Sequence, residues 1–309
     1  VKILYIDPVV RSPVSANYKY YDGIYDSLTD VFLYRGVPQD MQVLIDNIDF
    51  VPDVVVFGLG WFNHGFYGEI KNINLPSVCI LFKPQNNLEE KLSFCKINNI
   101  ERILTPIPRC EEYEANTGIQ TKLFTYGFDP VVFLKRGSDK EYDIGFSGAL
   151  HQSKHYPSGS FVCDNIRSRI FDKLNNINDI NVFWSASDDK PARIPNYEEY
   201  AKLIDKSKMW IATQAAFGDI TPRFFEILGT GTLLFCQEAP DEYSEILKDG
   251  VNCIQFKSDL SDFEEKLKYC LENPEKVKEI TDNAYRYFHG NYTWKNKAQE
   301  LIEICEDLL

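Results

Sequence analysis

The 309-residue chain contains no long hydrophobic run. Its apolar stretches, such as Val54 to Phe57 with its neighbours, are strand-sized, and none approaches the roughly 20 residues that a membrane-spanning helix requires. Positive charge is in short supply: 33 Lys and Arg stand against 46 Asp and Glu, a formal charge of −13. That balance argues against nucleic acid as a partner, because a phosphate backbone needs clustered cations. It leaves room for a small phosphorylated ligand held by a few local ones. No pair among the eight cysteines makes C-x-x-C, so they read as small buried hydrophobes in a reducing compartment. The four histidines, His64, His151, His155 and His289, are dispersed and suggest no metal site. Short-period repeats and low-complexity segments are also lacking. The first residues, V-K-I-L-Y-I-D-P, read as a buried strand rather than a signal peptide, and the expected location is the cytoplasm.

What is present is alternation. Short apolar runs (K-I-L-Y-I, V-F-L-Y-R, V-V-V-F-G-L-G, P-S-V-C-I-L-F, E-R-I-L-T-P, T-K-L-F-T-Y) are separated by segments of helical spacing at Tyr20–Leu28, Met41–Ile48 and Leu88–Asn98. Strands without polar alternation, interleaved with helices, predict a parallel α/β sheet covered on both faces. The stretch Gly127–Glu141, with Gly, Pro and clustered charge, reads as a linker. A second strand–helix series begins at once with Y-D-I-G-F-S-G and ends in an amphipathic helix from about Trp294 to Leu309. The expectation is two Rossmann-like domains facing each other across a cleft. Residues 1–134 form the first and 135–290 the second, while 291–309 pack back on the first.

In such sheets ligands bind beyond the carboxyl ends of the strands, at helix N-termini whose amides and dipole favour anions. The stretch T-P-R-F-F-E-I-L-G-T-G-T-L-L-F-C, Thr221–Cys236, fits that place. Thr221 suits the N-cap and Pro222 the first helical position. Arg223 and Glu226 are then two charges on an otherwise apolar helix. One reading is an i,i+3 ion pair on a solvent-facing edge, worth a few tenths of a kcal/mol. The other is a pair of ligand-binding side chains, favoured by the apolar Phe224, Phe225, Ile227 and Leu228 around them.

Four segments in order resemble glycosyltransferases of the GT-B fold, grouped as family 1 or family 4, with the spore-maturation-protein type as the nearest branch. They are the junction Y-G-F-D-P-V-V-F, the strand and glycine loop Y-D-I-G-F-S-G-A-L-H-Q-S-K, the helix and strand R-F-F-E-I-L-G-T-G-T-L-L-F, and Asn291–Trp294 with the final helix. The resemblance implies a nucleotide-diphosphate sugar as co-substrate and a glycan or other hydroxyl acceptor. It implies that Glu226 accepts hydrogen bonds from the ribose hydroxyls. Arg223 would meet the diphosphate, and Gly148, next to Ser147, would let backbone amides approach a phosphate.

The chain departs from that pattern at two places. The glutamate usual seven residues before Glu226 is Gly218, with Asp219 beside it, and the usual arginine after the loop glycine is Ala149, while the lysine five positions on is kept as Lys154. Arg223, Arg167 or Arg169 would have to supply the lost charge, and the expected catalytic cations are Arg223 and Lys154. The other major glycosyltransferase fold holds a divalent metal through Asp-x-Asp, which this chain lacks, so no metal or other cofactor is expected. In the first half, loops rich in aromatics and hydrogen-bonding groups suit an acceptor: Tyr20 in one, and Trp61, Asn63 and His64 in the other. His64 is the candidate general base there. A non-catalytic protein of the same fold, binding a nucleotide or glycan or serving as a partner subunit, is the alternative that the departures motivate. Oligomeric state is not indicated by the sequence.

Overall fold

A computed structural model describes residues 1–9, 22–59, 68–82, 87–148, 166–186, 194–215 and 218–309. The chain divides into two compact units, the first made of Val1–Gly127 with Trp294–Leu309, the second of Phe128–Thr293.

The first unit holds a parallel sheet of six strands: β1 (Ile3–Ile6), β2 (Val31–Tyr34), β3 (Val54–Leu59), β4 (Ser77–Leu81), β5 (Arg102–Thr105) and β6 (Gln120–Leu123), in the order β2-β1-β3-β4-β5-β6. Central strands are buried on both sides; Leu4, Ile6, Val55, Val56, Phe57 and Ile80 are sealed from solvent. This is why their sequences run apolar without alternation. Helices α1 (Met41–Asp46), α2 (Leu88–Ile97) and α3 (Cys110–Thr117) accompany the sheet. The Asp40 side chain caps α1 by accepting from the Val43 amide at 3.2 Å. Of the expected helix at Tyr20–Leu28, residues 22–28 are described: 22–25 are helical, and the helix gives way to a turn at 26–27. The short α3 escaped the reading of the sequence because, of its eight residues C-E-E-Y-E-A-N-T, Tyr113 alone is buried, so no apolar period is visible.

In the second unit the parallel strands are β7 (Tyr142–Gly148), β8 (Val182–Ala186), β9 (Ser207–Ala212), β10 (Leu233–Gln237) and β11 (Ile254–Phe256), in the order β11-β10-β9-β7-β8. The chain leaves β7 to one side for β8 and returns to the other side for β9. The strand order therefore reverses between β7 and β9, the kind of switch point at which parallel sheets bind ligands beyond the carboxyl ends of their strands. Helices α4 (Ile166–Asn175), α5 (Tyr197–Asp205), α6 (Pro222–Thr230), α7 (Phe263–Glu272) and α8 (Pro274–Asn291) belong to this unit, and α9 (Trp294–Glu306) to the first. The 18-residue α8 was not anticipated, although Pro274 at its first turn and the buried Ile280, Ala284 and Phe288 at helical spacing mark it.

The segment read as a linker is bound to the second unit from Phe128 onward. Phe128 and Phe133 are buried, and the carboxylate of buried Asp205 accepts from the Arg136 amide at 3.1 Å and from the Ser138 hydroxyl at 2.5 Å. The stretch is tied to the end of α5, where the Lys140 ammonium also donates to the Asp205 carbonyl at 2.6 Å.

Gly145 in β7 has a packing role. A Cβ at this position would lie 2.3 Å from the Trp210 ring on neighbouring β9. Gly145→Ala is expected to destabilise the protein by about 1–3 kcal/mol through overpacking, measured by urea denaturation with an unchanged slope.

Candidate functional site

The site is assembled on α6 and the carboxyl ends of β7 and β9. Pro222 opens α6 and Gly231, at φ 70°, closes it in the left-handed conformation that glycine tolerates. Thr221 stands at the N-cap in extended conformation, as expected, yet its side chain makes no capping bond. Its buried Oγ1 has no hydrogen-bonding partner among the described residues. Phe224, Phe225, Ile227 and Leu228 are sealed from solvent.

Glu226 is equally buried, at 1% exposure, which removes the solvent-facing ion pair as an account of it. The hydroxyl of Tyr197, from the first turn of α5, donates to Glu226 Oε1, and Oε2 is buried without a partner among the described residues. Burial pushes the carboxyl up to about 7, against the opposing effects of the Tyr197 hydroxyl and the Arg223 charge. A buried carboxylate oxygen without a donor is costly. It is a natural seat for a ligand hydroxyl.

Arg223 points elsewhere. Its Nε donates to the Tyr200 hydroxyl at 3.2 Å, and the same hydroxyl is hydrogen-bonded to Ser147. Burial raises the Tyr200 phenol above the ordinary tyrosine range, so the group stays neutral. Gly148, the last residue of β7, has φ +151°, a conformation that side chains rarely adopt. A Cβ there would lie 3.3 Å from Arg223 Nη1, 3.5 Å from Arg167 Nη1 and 3.2 Å from Phe146 Cζ. Two guanidinium groups thus reach the same glycine, one from the first turn of α6 and one from the first turn of α4.

Arg167 is 8% exposed. Its Nε donates to Thr213 Oγ1 at 2.8 Å, just past the end of β9, and its guanidinium carbon sits 5.9 Å from the centre of the Phe146 ring. Arg169, two residues on, is exposed and donates to the Ser258 carbonyl at 2.8 Å. Of the three arginines offered by the sequence, the structure therefore brings Arg223 and Arg167 together. Chemically, two fixed cations at helix N-termini beside a glycine are suited to hold an anion.

Asp219 is 5% exposed on the loop before α6, where its carbonyl accepts from the Ala215 amide at 2.9 Å. Gly218, beside it, has φ 79°. Lys154, Ala149, Tyr20, Trp61, Asn63 and His64 lie outside the described residues. Tyr197, Tyr200 and Thr213 were not found from the sequence. The signal was faint: tyrosines three apart share a helix face, but such a pair more often packs a core, and these two do pack on Phe133. Among the described residues no group of three His, Cys, Asp or Glu side chains could hold a metal ion, and no helix is long and apolar enough to cross a membrane.

Comparison with known proteins places this geometry in context. Residues 167–303 match a family model described as glycosyl transferase-like. Sucrose-phosphate synthase from Thermosynechococcus elongatus superposes with a TM-score of 0.62 at 10% identity, covering 99% of this chain and 98% of that one. HepE of Anabaena, solved in complex with UDP and glucose, superposes at 0.63 with 13% identity, covering 99% and 100%. A glycosyltransferase from Rickettsia africae gives 0.58 at 11% identity, covering 99% and 98%. An uncharacterized protein, 179R, of Invertebrate iridescent virus 6 is 35% identical over 68 residues, which span 20% of this chain and 6% of the viral protein. The chain has the GT-B fold, with a glycosyl transferase-like region from α4 into α9.

Proposed function

We propose that the protein is a glycosyltransferase that moves a sugar from a nucleotide-diphosphate sugar to a hydroxyl of a glycan or similar acceptor, holding the donor on the second unit. The observation that carries this reading is the convergence of Arg223 and Arg167 on Gly148, beside a buried glutamate with one unsatisfied oxygen. The arginines would face the diphosphate, Glu226 the ribose hydroxyls, and Ser147, Asp219 and Thr221 the remaining polar edge of the donor. UDP is the first nucleotide to try, since a protein of the same fold binds it.

Charge develops on the diphosphate as the glycosidic bond breaks, and fixed donors aimed at it lower the barrier. Two guanidinium groups and two helix N-termini supply such donors without a metal ion. The reading therefore includes metal independence. Retention of anomeric configuration follows the resemblance of the sequence, with His64 and Lys154 as further catalytic candidates and Tyr20, Trp61 and Asn63 as acceptor contacts. Burial of the thiols Cys79, Cys95, Cys236, Cys253, Cys270 and Cys305 supports a reducing, cytoplasmic setting.

The test is thermal stabilisation by a panel of nucleotide-diphosphate sugars, followed by hydrolysis or transfer assays. Stabilisation with turnover that survives EDTA is expected. Turnover abolished by EDTA and restored by manganese overturns metal independence, and stabilisation without turnover on any acceptor favours a binding protein.

A further inference from the structure

Both arginines at Gly148 are held in the same manner. Arg223 is gripped at Nε by the hydroxyl of Tyr200, and Arg167 at Nε by the hydroxyl of Thr213. In each case Nη1 is the atom that reaches Gly148. The grips are neutral hydroxyls, so neither bond cancels a positive charge as a carboxylate would. They are also rigid. Thr213 is sealed from solvent and Tyr200 is 8% exposed. The Tyr200 ring meets Phe133 edge-on at 6.0 Å and Trp210 edge-on at 5.9 Å between centroids. The Arg167 guanidinium is further confined over Phe146, whose ring stacks on Trp184 at 4.3 Å.

We propose that Tyr200 and Thr213 are positioning residues whose hydroxyls fix the two arginines so that one diphosphate engages both. The proposal rests on the donor-site reading above and adds to it the reason for the alignment. An arginine side chain is long and rich in rotamers, and ordering it at the moment of binding costs conformational entropy. Two guanidinium groups close to one glycine also repel each other. The Nε bonds restrain each against turning away from the other. With them, the cost is met on folding, and the site waits in the geometry that a leaving diphosphate needs.

The selectivity that follows is for phosphate count. A nucleoside gains nothing from the hydroxyls, a nucleoside monophosphate engages one fixed arginine, and a nucleoside diphosphate engages two. A structural role for Tyr200 or Thr213 would instead affect all three ligands, or folding, alike.

The experiment uses the full chain with Tyr200→Phe and Thr213→Val, substitutions that remove a hydroxyl and keep the side-chain shape. Affinities for a nucleoside, its monophosphate and its diphosphate are measured by calorimetry, with UDP, GDP, ADP, CDP and dTDP tried first on the wild type. Each variant is expected to keep the wild-type melting temperature to within a few degrees and its nucleoside affinity, and to lose about tenfold in diphosphate affinity, the range for a hydrogen bond to a charged group. Because the donor carries the same diphosphate, KM for the donor is expected to rise with the loss of affinity, and kcat to fall as well, since charge develops on the leaving diphosphate. A double-mutant cycle assigns the pathway: Tyr200→Phe should have no added effect in an Arg223→Ala background, nor Thr213→Val in an Arg167→Ala background. A folded wild type that binds a diphosphate while both variants bind it as tightly overturns the positioning role alone. A wild type that binds none of the five diphosphates overturns the donor-site reading and this proposal with it. If a variant fails to fold, Tyr200→Leu or Thr213→Ala, which also lack the hydroxyl and are smaller, gives the second comparison, and Thr213→Ser, which keeps the hydroxyl, should keep the diphosphate affinity.

Discussion

Arg223→Ala is expected to lower sugar transfer by at least about a hundredfold while the protein stays folded and binds the bare nucleoside as before. Loss of one donor from a preorganised charge-stabilising site costs about 10²–10³ in kcat. Arg223 is suited to that effect because its guanidinium is fixed to Tyr200 and aimed at Gly148, and it lies on the first turn of α6, where the helix dipole adds to its charge. Arg167→Ala should behave in the same way, since its guanidinium reaches the same glycine. The double substitution should lose less than the product of the two, because the groups share one ligand. Single-turnover kinetics separate the chemical step from binding. Near-normal turnover in both arginine variants would mean that the phosphate site lies elsewhere. Lys154→Ala, measured alongside, tells whether a third cation contributes.

Glu226→Ala is expected to weaken donor binding by about 1.5–3 kcal/mol, the range for hydrogen bonds to a charged group, which is roughly 10- to 150-fold in Kd. Glu226→Gln is the companion variant, because it keeps the volume and the bond from Tyr197 while removing the charge. Calorimetry with the nucleoside diphosphate decides the point. An unchanged Kd in a folded variant excludes the ribose role.

The same residue makes a pH prediction. Its carboxyl is raised from an ordinary 4.5 to about 7, chiefly by burial. Between those values the folded protein carries a proton there that the unfolded chain has released, so stability falls as pH rises through the window. At 1.36 kcal/mol per unit, the loss is on the order of 3 kcal/mol. Relative to Glu226→Gln, which cannot ionise, the wild type should therefore be most stable below about pH 4.5 and should lose ground up to and just beyond pH 7. Urea melts of both proteins across that range measure the difference; a constant gap would show that burial does not hold the proton.

The sequence by itself determined the α/β class and the parallel sheets. Those follow from local facts: apolar runs of strand length, buried on both faces, interleaved with helical spacing. It also determined the bounds and polarity of α6, because Pro222 and Gly231 act through the backbone of their own neighbourhood. Glu226 and Arg223 were conspicuous for a related reason, two charges on a helix face that is otherwise apolar. The fate of those charges was a tertiary matter. Whether Glu226 met solvent or a sealed pocket depended on Tyr197, 29 residues earlier in the chain. Which arginine joined Arg223 depended on the reversal of strand order between β7 and β9. That reversal sets α4, α6 and the end of β9 around one glycine, and the rotation of α4 about its axis turns Arg167 toward that glycine while Arg169, about 200° around the helix, is exposed. Tyr200 and Thr213 carry no mark in the sequence, because a hydroxyl gains a role as a grip only when folding brings a guanidinium to it. Side-chain partners separated by 23 and 46 residues are fixed by packing rather than by local spacing, and only the tertiary structure could name them.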